Sequence, residues 1–235
     1  MNEYRAAKLE DLEAITFDHF NTLQYSPRKK EDDIIHPIIR ALSVKIELDE
    51  GAFTTKYYEI EGLYRLDQKE TNHETLMDDL ILIALHESGH NADKMIEDVT
   101  KSVNEVLAQY NLMWIRDAEE TLRSLRDAGF KLGLISNTHW RWLPEKKEEM
   151  NQYFDVITLS YEYGYAKPHP SIFKTTLDKL GVSPGKCLHV GDDPIADVWG
   201  ARQVGMKTAH VNLVGVRCDS DVSLHQIDEL LQLLN

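Results

Sequence analysis

The sequence has few cysteines and no apolar run long enough to cross a membrane, and its 26 basic residues are outnumbered by 40 acidic ones. Its two cysteines, Cys187 and Cys218, follow no metal-binding or redox spacing. The formal charge of −14 argues against the broad basic surface that binding to nucleic acid requires. The first residues are polar and acidic, unlike a signal peptide. We therefore expect a cytoplasmic protein with neither a nucleic acid nor a membrane as partner.

The composition supports a folded enzyme-sized chain. With 235 residues, of which 42% are hydrophobic, the protein can bury one large core or a core plus a smaller lobe. The negative charge does not exclude a small anionic substrate, because one lysine and a few backbone N–H groups form a local positive site. The sequence does not indicate the oligomeric state.

The order of the predicted elements divides the chain into three zones. A short apolar strand ends at Asp18, residues 26–116 show mostly helical spacing, and residues 117–235 alternate strands with helices. Asp117 and Glu120 have the spacing of a capping box for the first of these helices. The alternation is typical of an α/β fold with a parallel sheet, interrupted after its first strand by a helical insertion.

Polar side chains follow three of the predicted strands. Asp18 ends the first, Ser136 and Asn137 end the strand "KLGLIS", and Asp192 follows the strand "CLHVG". Lys167 lies in the loop after the strand "DVITLS". Ligands of parallel α/β sheets bind beyond the carboxyl ends of the strands, so we expect these groups to converge on one site.

These four features, in this order, resemble the motifs of the haloacid dehalogenase-like (HAD) hydrolase superfamily. The stretches that carry the resemblance are "FDHFNTL", "GLISN", "KPHPSIF" and "HVGDDPIADVWGARQVGM". The similarity covers residues 13–23 and about 117–212. It implies a Rossmann-like core made of residues 1–25 and 117–235, with residues 26–116 as a small α-helical cap domain that sets substrate specificity.

The resemblance implies a catalytic and metal site whose residue types suit the chemistry. Asp18 is the expected nucleophile, and Lys167 neutralises the anionic nucleophile and substrate. Asp18, Asp192, Asp193 and the backbone carbonyl of Phe20 are the expected ligands of Mg²⁺, a hard cation that prefers oxygen. The expected reaction is hydrolysis of a small phosphorylated metabolite through an aspartyl phosphate.

Further residues are expected to bind substrate or to support the metal. Ser136 is placed to hold phosphoryl oxygens, and Thr22, Asn137 and His139 are also predicted to contact substrate. Asp193 and Asp197 are each open to two interpretations from the sequence, a second metal ligand or an acceptor that orients metal-bound water. Asp197 is also open to a third, a residue on a solvated helix face.

Phe20 departs from the pattern of the family's phosphatases, most of which have a second Asp at this position as general acid and base. General acid–base help contributes about 10²–10⁴-fold, which Phe20 cannot supply. Three interpretations follow. The chain is a phosphatase limited to easy leaving groups, a 2-haloacid dehalogenase whose halide leaves without a proton, or a weakly active or inactive binding module. The acidic pair Asp192–Asp193 counts against dehalogenation, which needs no metal.

One competing motif lies in the helical insertion. "HESGH", from His86 to His90, matches H-E-x-x-H, which on a helix presents two imidazoles to zinc with Glu87 as base. Gly89 weakens that helix. A zinc protease is therefore a remote alternative.

Overall fold

The structure is a computed structural model that describes residues 11–27, 34–212, 215–216 and 218–233. The chain forms two compact units. The first contains Met1–Tyr25, Met113–Thr138 and Glu145–Asn235, and the second contains Ser26–Leu112 and His139–Pro144. Compared with the predicted domain boundaries, residues 113–116 belong to the first unit and residues 139–144 to the second.

The first unit is built on a parallel sheet, as the alternating pattern predicts. Its strands are β1 (Ala14–Phe17), β4 (Lys131–Ser136), β5 (Val156–Leu159), β6 (Cys187–Gly191), β7 (Lys207–Val211) and β8 (Val222–Leu224). In the described part of the chain they run in the order β5-β4-β1-β6-β7-β8, and every neighbouring pair is parallel. All four residues of β1 are buried, because an interior strand of a covered parallel sheet meets side chains on both faces.

A second, smaller sheet joins two distant parts of this unit. Strands β2 (Gln24–Tyr25) and β3 (Met113–Trp114) pair antiparallel, with Gln24 opposite Trp114. The backbone N–H of Ile115 also donates to the carbonyl of Leu23 at 2.8 Å. This pairing secures the chain on both sides of the helical insertion, and it explains why residues 113–116 lie with the first unit.

Helices connect the strands of the first unit. They are α5 (Ala118–Asp127), α6 (Pro144–Asn151), α7 (Ser160–Tyr163), α8 (Pro170–Leu180), α9 (Gly200–Gln203) and α10 (Glu229–Leu233), with 3₁₀ turn Pro184–Lys186 and π-helical turn Pro194–Trp199. The capping box predicted for α5 is not formed. The backbone of Asp117 has the left-handed conformation, with φ of 62°, and its side chain makes no capping hydrogen bond.

The second unit is a cluster of helices around its own core. Its helices are α1 (Ile35–Ile46), α2 (Glu50–Thr71), α3 (Met77–Glu87) and α4 (Ile96–Leu107), with 3₁₀ turn Ala92–Met95. Trp140 and Leu143 pack against that core. Arg141 also forms an ion pair with the buried Asp78 at 2.7 Å, and the N–H of Met77 donates to the carbonyl of His139. These contacts place residues 139–144 with the helices.

No helix among the described residues has both the length and the apolar character needed to cross a membrane.

Candidate active site

The register of the sheet brings the predicted strand-end residues to one edge. Phe17 is paired with Leu134 on one side and with Val190 on the other. Asp18 therefore comes level with Gly191, and its N–H donates to the carbonyl of Val190 at 2.8 Å. The carboxyl ends of β1, β4 and β6 meet where Asp18 leaves the sheet, as the sequence predicts.

Lys167 joins two carboxylates at this edge. Its Nζ lies 2.6 Å from Oδ1 of Asp18 and 2.6 Å from Oδ1 of Asp197, and its side chain is only 1% exposed. Asn137 holds the backbone of Lys167 at both ends: its Oδ1 accepts from the Lys167 N–H at 2.7 Å, and its Nδ2 donates to the Lys167 carbonyl at 2.9 Å. The ammonium is thereby fixed beside Asp18.

Asp197 is part of the buried cluster, and the alternative of a solvated helix face is wrong. It lies in the π-helical turn and is 1% exposed. Its Oδ2 accepts from the backbone N–H of Asp193 at 3.0 Å. A Cβ on Gly191 would lie 2.2 Å from Cγ of Asp197, so the absence of a side chain at Gly191 is what lets this carboxylate approach the backbone.

Asp193, predicted as a metal ligand, is used differently. Its Oδ1 accepts from the N–H groups of Ile195 and Ala196 at 2.7 and 2.8 Å, which caps the π-helical turn. The residue is exposed. Among the described residues, the group of acidic, histidine or cysteine side chains close enough to share a metal ion consists of Asp18, Asp192 and Asp197, with ligand atoms within 4.8 Å of one another.

The electrostatics of this cluster follow from burial and from an excess of negative charge. Burial raises the pKa of Asp18 to about 7 against the opposing effect of Lys167, and Asp197 adds to the rise. Burial and Asp197 likewise raise the pKa of Asp192 to about 6. Asp197 behaves in the opposite way: the Lys167 ammonium and a hydrogen bond from His189 outweigh burial and hold its pKa below the ordinary value. One ammonium therefore faces three carboxylates.

This donor set fits a divalent cation that prefers oxygen. Asp18 and Asp192 supply carboxylates at the ends of adjacent strands, and three carboxylates against the one ammonium of Lys167 leave the cluster with an excess of negative charge. Asp197 already accepts three hydrogen bonds, from Lys167, His189 and the Asp193 N–H. These contacts indicate that Asp197 holds the Lys167 ammonium in place. In enzymes Mg²⁺ binds carboxylate oxygens together with the oxygens of a substrate phosphoryl group.

The predicted substrate-binding residues are placed in different ways. Ser136 ends β4 and is buried, at the same edge as Asp18. Thr22 is fully buried, and its hydroxyl oxygen has no hydrogen-bond partner within the described residues. Asn137 has the positioning contact with Lys167 described above, which the sequence did not indicate. Their contacts with substrate stay predictions.

His139 lies in the second unit, so it is not among the residues that the first unit brings together. Its ring stands edge-on to that of Trp140, with centroids 4.8 Å apart. Burial, with a smaller effect from Arg65, lowers the pKa of His139 to about 4 from its ordinary value of 6.5. The imidazole is therefore neutral at physiological pH, and its contact with substrate stays a prediction.

We expect this histidine to make the stability of the second unit depend on pH. Between about 6.5 and about 4, the unfolded chain binds a proton that the folded unit does not, so stability falls as the pH falls through this window. The expected loss is on the order of 3 kcal/mol, from about 1.4 kcal/mol for each pH unit of the window. Urea unfolding across the window should show a smaller loss for His139→Gln than for the wild type; equal losses would contradict the assignment.

Phe20 and His19 offer no proton source beside Asp18. Phe20 is partly buried and bridges Gln24 through the backbone. His19 Nε2 lies 3.0 Å from Oε1 of Gln24, and burial, with the nearby charge of Lys146, lowers its pKa to about 3. At neutral pH this imidazole is uncharged.

The structure contradicts the helical zinc motif in "HESGH". Helix α3 ends at Glu87, and Gly89 has φ of +84°, which takes the chain out of the helix before His90. His86 and His90 therefore do not share one helical face, which the H-E-x-x-H site requires.

Sequence reasoning did not identify two buried histidines that hold the acidic residues. His189 in β6 contacts Asp197 at 3.2 Å. His210 in β7 has Nε2 3.0 Å from the carbonyl oxygen of Asp192. In the sequence each histidine lies within an otherwise apolar strand. A polar residue in such a strand was the one feature that could have indicated a buried hydrogen-bonding role.

Comparison with known proteins relates this chain to a hydrolase family. The family model described as haloacid dehalogenase-like hydrolase matches residues 12–205, well over half of the chain. A glyceraldehyde 3-phosphate phosphatase of Pyrococcus abyssi is 36% identical over 110 residues, covering 44% of this chain and 46% of that protein. Haloacid dehalogenase-like hydrolase domain-containing protein 3 of Xenopus laevis is 31% identical over 131 residues, covering 54% and 53%. The chain thus spans about half the length of the curated relatives it matches.

Two solved structures share the fold over nearly the whole chain. The 2-haloacid dehalogenase of Pseudomonas syringae pv. Tomato has a TM-score of 0.73 at 22% identity, covering 95% of this chain and 98% of that one. The HAD phosphatase of Thermococcus onnurineus has a TM-score of 0.62 at 24% identity, with the same coverage of both chains. Enzymes of both chemistries therefore have this fold, and likeness of fold does not choose between them.

Proposed function

Because this chain belongs to the haloacid dehalogenase-like hydrolases, we propose that it is a Mg²⁺-dependent phosphatase that acts on a small phosphorylated metabolite, with Asp18 as nucleophile. The observation that carries the proposal is the buried cluster in which Lys167 bridges Asp18 and Asp197 while Asp192 lies alongside. The phosphatases named among its relatives support the same choice of reaction.

The proposed reaction has two steps at phosphorus. An oxygen of Asp18 attacks, the bond between phosphorus and the leaving oxygen breaks, and an aspartyl phosphate forms. Lys167 donates to Oδ1 of Asp18, which leaves Oδ2 as the attacking oxygen. Water then attacks phosphorus, releases inorganic phosphate and restores the carboxylate. Ser136 is the proposed donor to a phosphoryl oxygen in both steps.

The metal site proposed here uses Asp18, Asp192 and the backbone carbonyl of Phe20. A bound Mg²⁺ would offset the excess negative charge of the cluster and attract the phosphoryl oxygens of the substrate. Asp197 holds Lys167 in place, and Asp193 caps the turn that carries Asp197. This assignment differs from the sequence-based ligand set, which included Asp193.

Phe20 limits the leaving groups that this site accepts. Without a carboxyl group at that position, and with His19 neutral and bonded to Gln24, the leaving oxygen departs without a proton from either side chain. Esters of acidic alcohols and phenols are then favoured over alkyl phosphates, because their anions are stable enough to leave unprotonated.

Dehalogenation is the second candidate, and Phe20 is the observation that favours it, since a halide also leaves without a proton. The cluster of Asp18, Asp192 and Asp197 weighs against it, because carbon–halogen cleavage by a carboxylate needs no metal. Lys167 serves either nucleophilic reaction.

The first test compares leaving groups. Hydrolysis of p-nitrophenyl phosphate and of glyceraldehyde 3-phosphate should be measured with and without Mg²⁺. We expect Mg²⁺-dependent turnover of the nitrophenyl ester and much slower turnover of the alkyl ester. Chloride release from a 2-chloroacid in the absence of Mg²⁺, with no turnover of either phosphate, would replace the phosphatase by a dehalogenase.

A further inference from the structure

A histidine is buried in the interior of the sheet and contacts a carboxylate of the catalytic cluster. His189 is 1% exposed and is paired in register with Thr16, two residues before Asp18 on the neighbouring strand. Its Nδ1 lies 2.9 Å from the Thr16 hydroxyl, and its Nε2 lies 3.2 Å from Oδ1 of Asp197. The ring of Phe173 meets it edge-on, with centroids 5.2 Å apart.

The hydrogen bonds determine where the proton of this imidazole lies. Asp197 is an ionised carboxylate that accepts from Lys167 and from the Asp193 N–H, so it can only accept from His189 as well. Nε2 therefore carries the proton. Nδ1 is then an acceptor, and the hydroxyl of Thr16 is its donor. Burial lowers the pKa of His189, which keeps the ring neutral.

We propose that His189 is a positioning residue that, together with Thr16, orients the Asp197 carboxylate and through it the Lys167 ammonium beside Asp18. This inference rests on the proposed function, because it assigns a task in the same site. A lysine side chain has a flexible stem, so its ammonium stays at one place only where its acceptors are themselves fixed. Oδ1 of Asp197 accepts hydrogen bonds from both His189 Nε2 and Lys167 Nζ, so the bond from His189 fixes the oxygen that holds the ammonium.

The first measurement needs no activity. In the ¹⁵N-labelled full chain, NMR should show the His189 ring as neutral with its proton on Nε2, and it should show the Lys167 ammonium as a slowly exchanging signal. His189→Leu should remove or broaden that ammonium signal, and His189→Gln, which keeps a donor toward Asp197, should restore it. A ring protonated on Nδ1 or on both nitrogens would overturn the proposal, even in a chain without phosphatase activity.

The second measurement separates positioning from folding. With p-nitrophenyl phosphate, His189→Leu should lower kcat by about 10–100-fold with little change in KM, the usual cost of losing an outer partner. His189→Gln should recover most of the loss, and Thr16→Val should show a smaller loss that Thr16→Ser reverses. The matched control is Thr158→Val, since Thr158 is another buried threonine of this sheet whose hydroxyl accepts from Thr176 at 2.8 Å.

The two sets of results distinguish the failures. A wild type without turnover but with the expected NMR signals would refute the proposed function and support the positioning role of His189. An active wild type in which His189→Leu keeps its kcat, or in which Gln and Leu lose kcat equally in step with melting temperature, would overturn the positioning role.

Discussion

Asp18→Asn is expected to abolish turnover of p-nitrophenyl phosphate while the chain stays folded. The amide has the shape of the carboxylate and can still accept from Lys167, but it is a poor nucleophile. Loss of a nucleophile in a comparable covalent mechanism lowers kcat by about 10⁶-fold. The variant should therefore show no signal above the uncatalysed background. Acid-quenched wild-type enzyme should also contain a hydroxylamine-labile phosphate that the variant lacks.

A matched control removes a carboxylate from the opposite end of the same strand. Glu13 precedes β1, is exposed and pairs with Lys186. Glu13→Gln should keep wild-type kcat, because surface ion pairs contribute little. Burial makes ionised Asp18 unfavourable, so Asp18→Asn should not melt at a lower temperature than the wild type. Turnover that persists in Asp18→Asn, with Glu13→Gln unchanged, would refute the nucleophile assignment.

Phe20→Asp is expected to produce the second-largest effect, and in the opposite direction. A carboxyl group at this position would protonate the leaving alkoxide and then activate water. This help is worth about 10²–10⁴-fold, or roughly 3–5 kcal/mol. The gain should appear in kcat for glyceraldehyde 3-phosphate and should be small for p-nitrophenyl phosphate, whose leaving group needs little proton transfer.

Phe20→Asn is the control for shape and burial. It places an amide of the same size as Asp at position 20 but supplies no transferable proton, so alkyl phosphate turnover should stay at the wild-type rate. If Phe20→Asp folds, binds Mg²⁺ and shows no gain over Phe20→Asn, then the missing acid is not what limits the enzyme. A gain in both variants would mean that the phenyl ring obstructs the substrate.

The parts of the site that lie at strand ends could be predicted from the sequence. Asp18, Ser136 and Asp192 each follow an apolar run that reads as a buried strand, and parallel strands end at one edge. Lys167 was predicted from its place in the resembling motif. The structure brings Lys167 and Asp18 to 2.6 Å although they are 149 residues apart in the chain. Their contacts with a metal or substrate remain predictions.

The sequence did not show which contacts Asp193 and Asp197 make within the acidic motif, for a local reason. Asp193 directly follows Asp192 and looked like its partner. The chain instead forms a π-helical turn that the Asp193 side chain caps. The Asp197 carboxylate lies in the cluster, close to the backbone of Gly191, where a side chain would clash with it. Spacing alone did not identify the π-helical turn, so the sequence left open whether Asp197 joins the site or faces solvent.

By itself, the sequence determined the α/β class, the parallel sheet, the resemblance to the family and the strand-end residues of the site, since each depends on a local pattern of apolar and polar residues. Only the tertiary structure decided that residues 139–144 pack with the helices, that Asn137 holds the backbone of Lys167, and that His189 and Thr16 support Asp197. These contacts join residues up to 173 positions apart. They depend on strand order, register and burial, which set how hydrogen-bond donors and acceptors pair in the interior, and no local pattern carries that information.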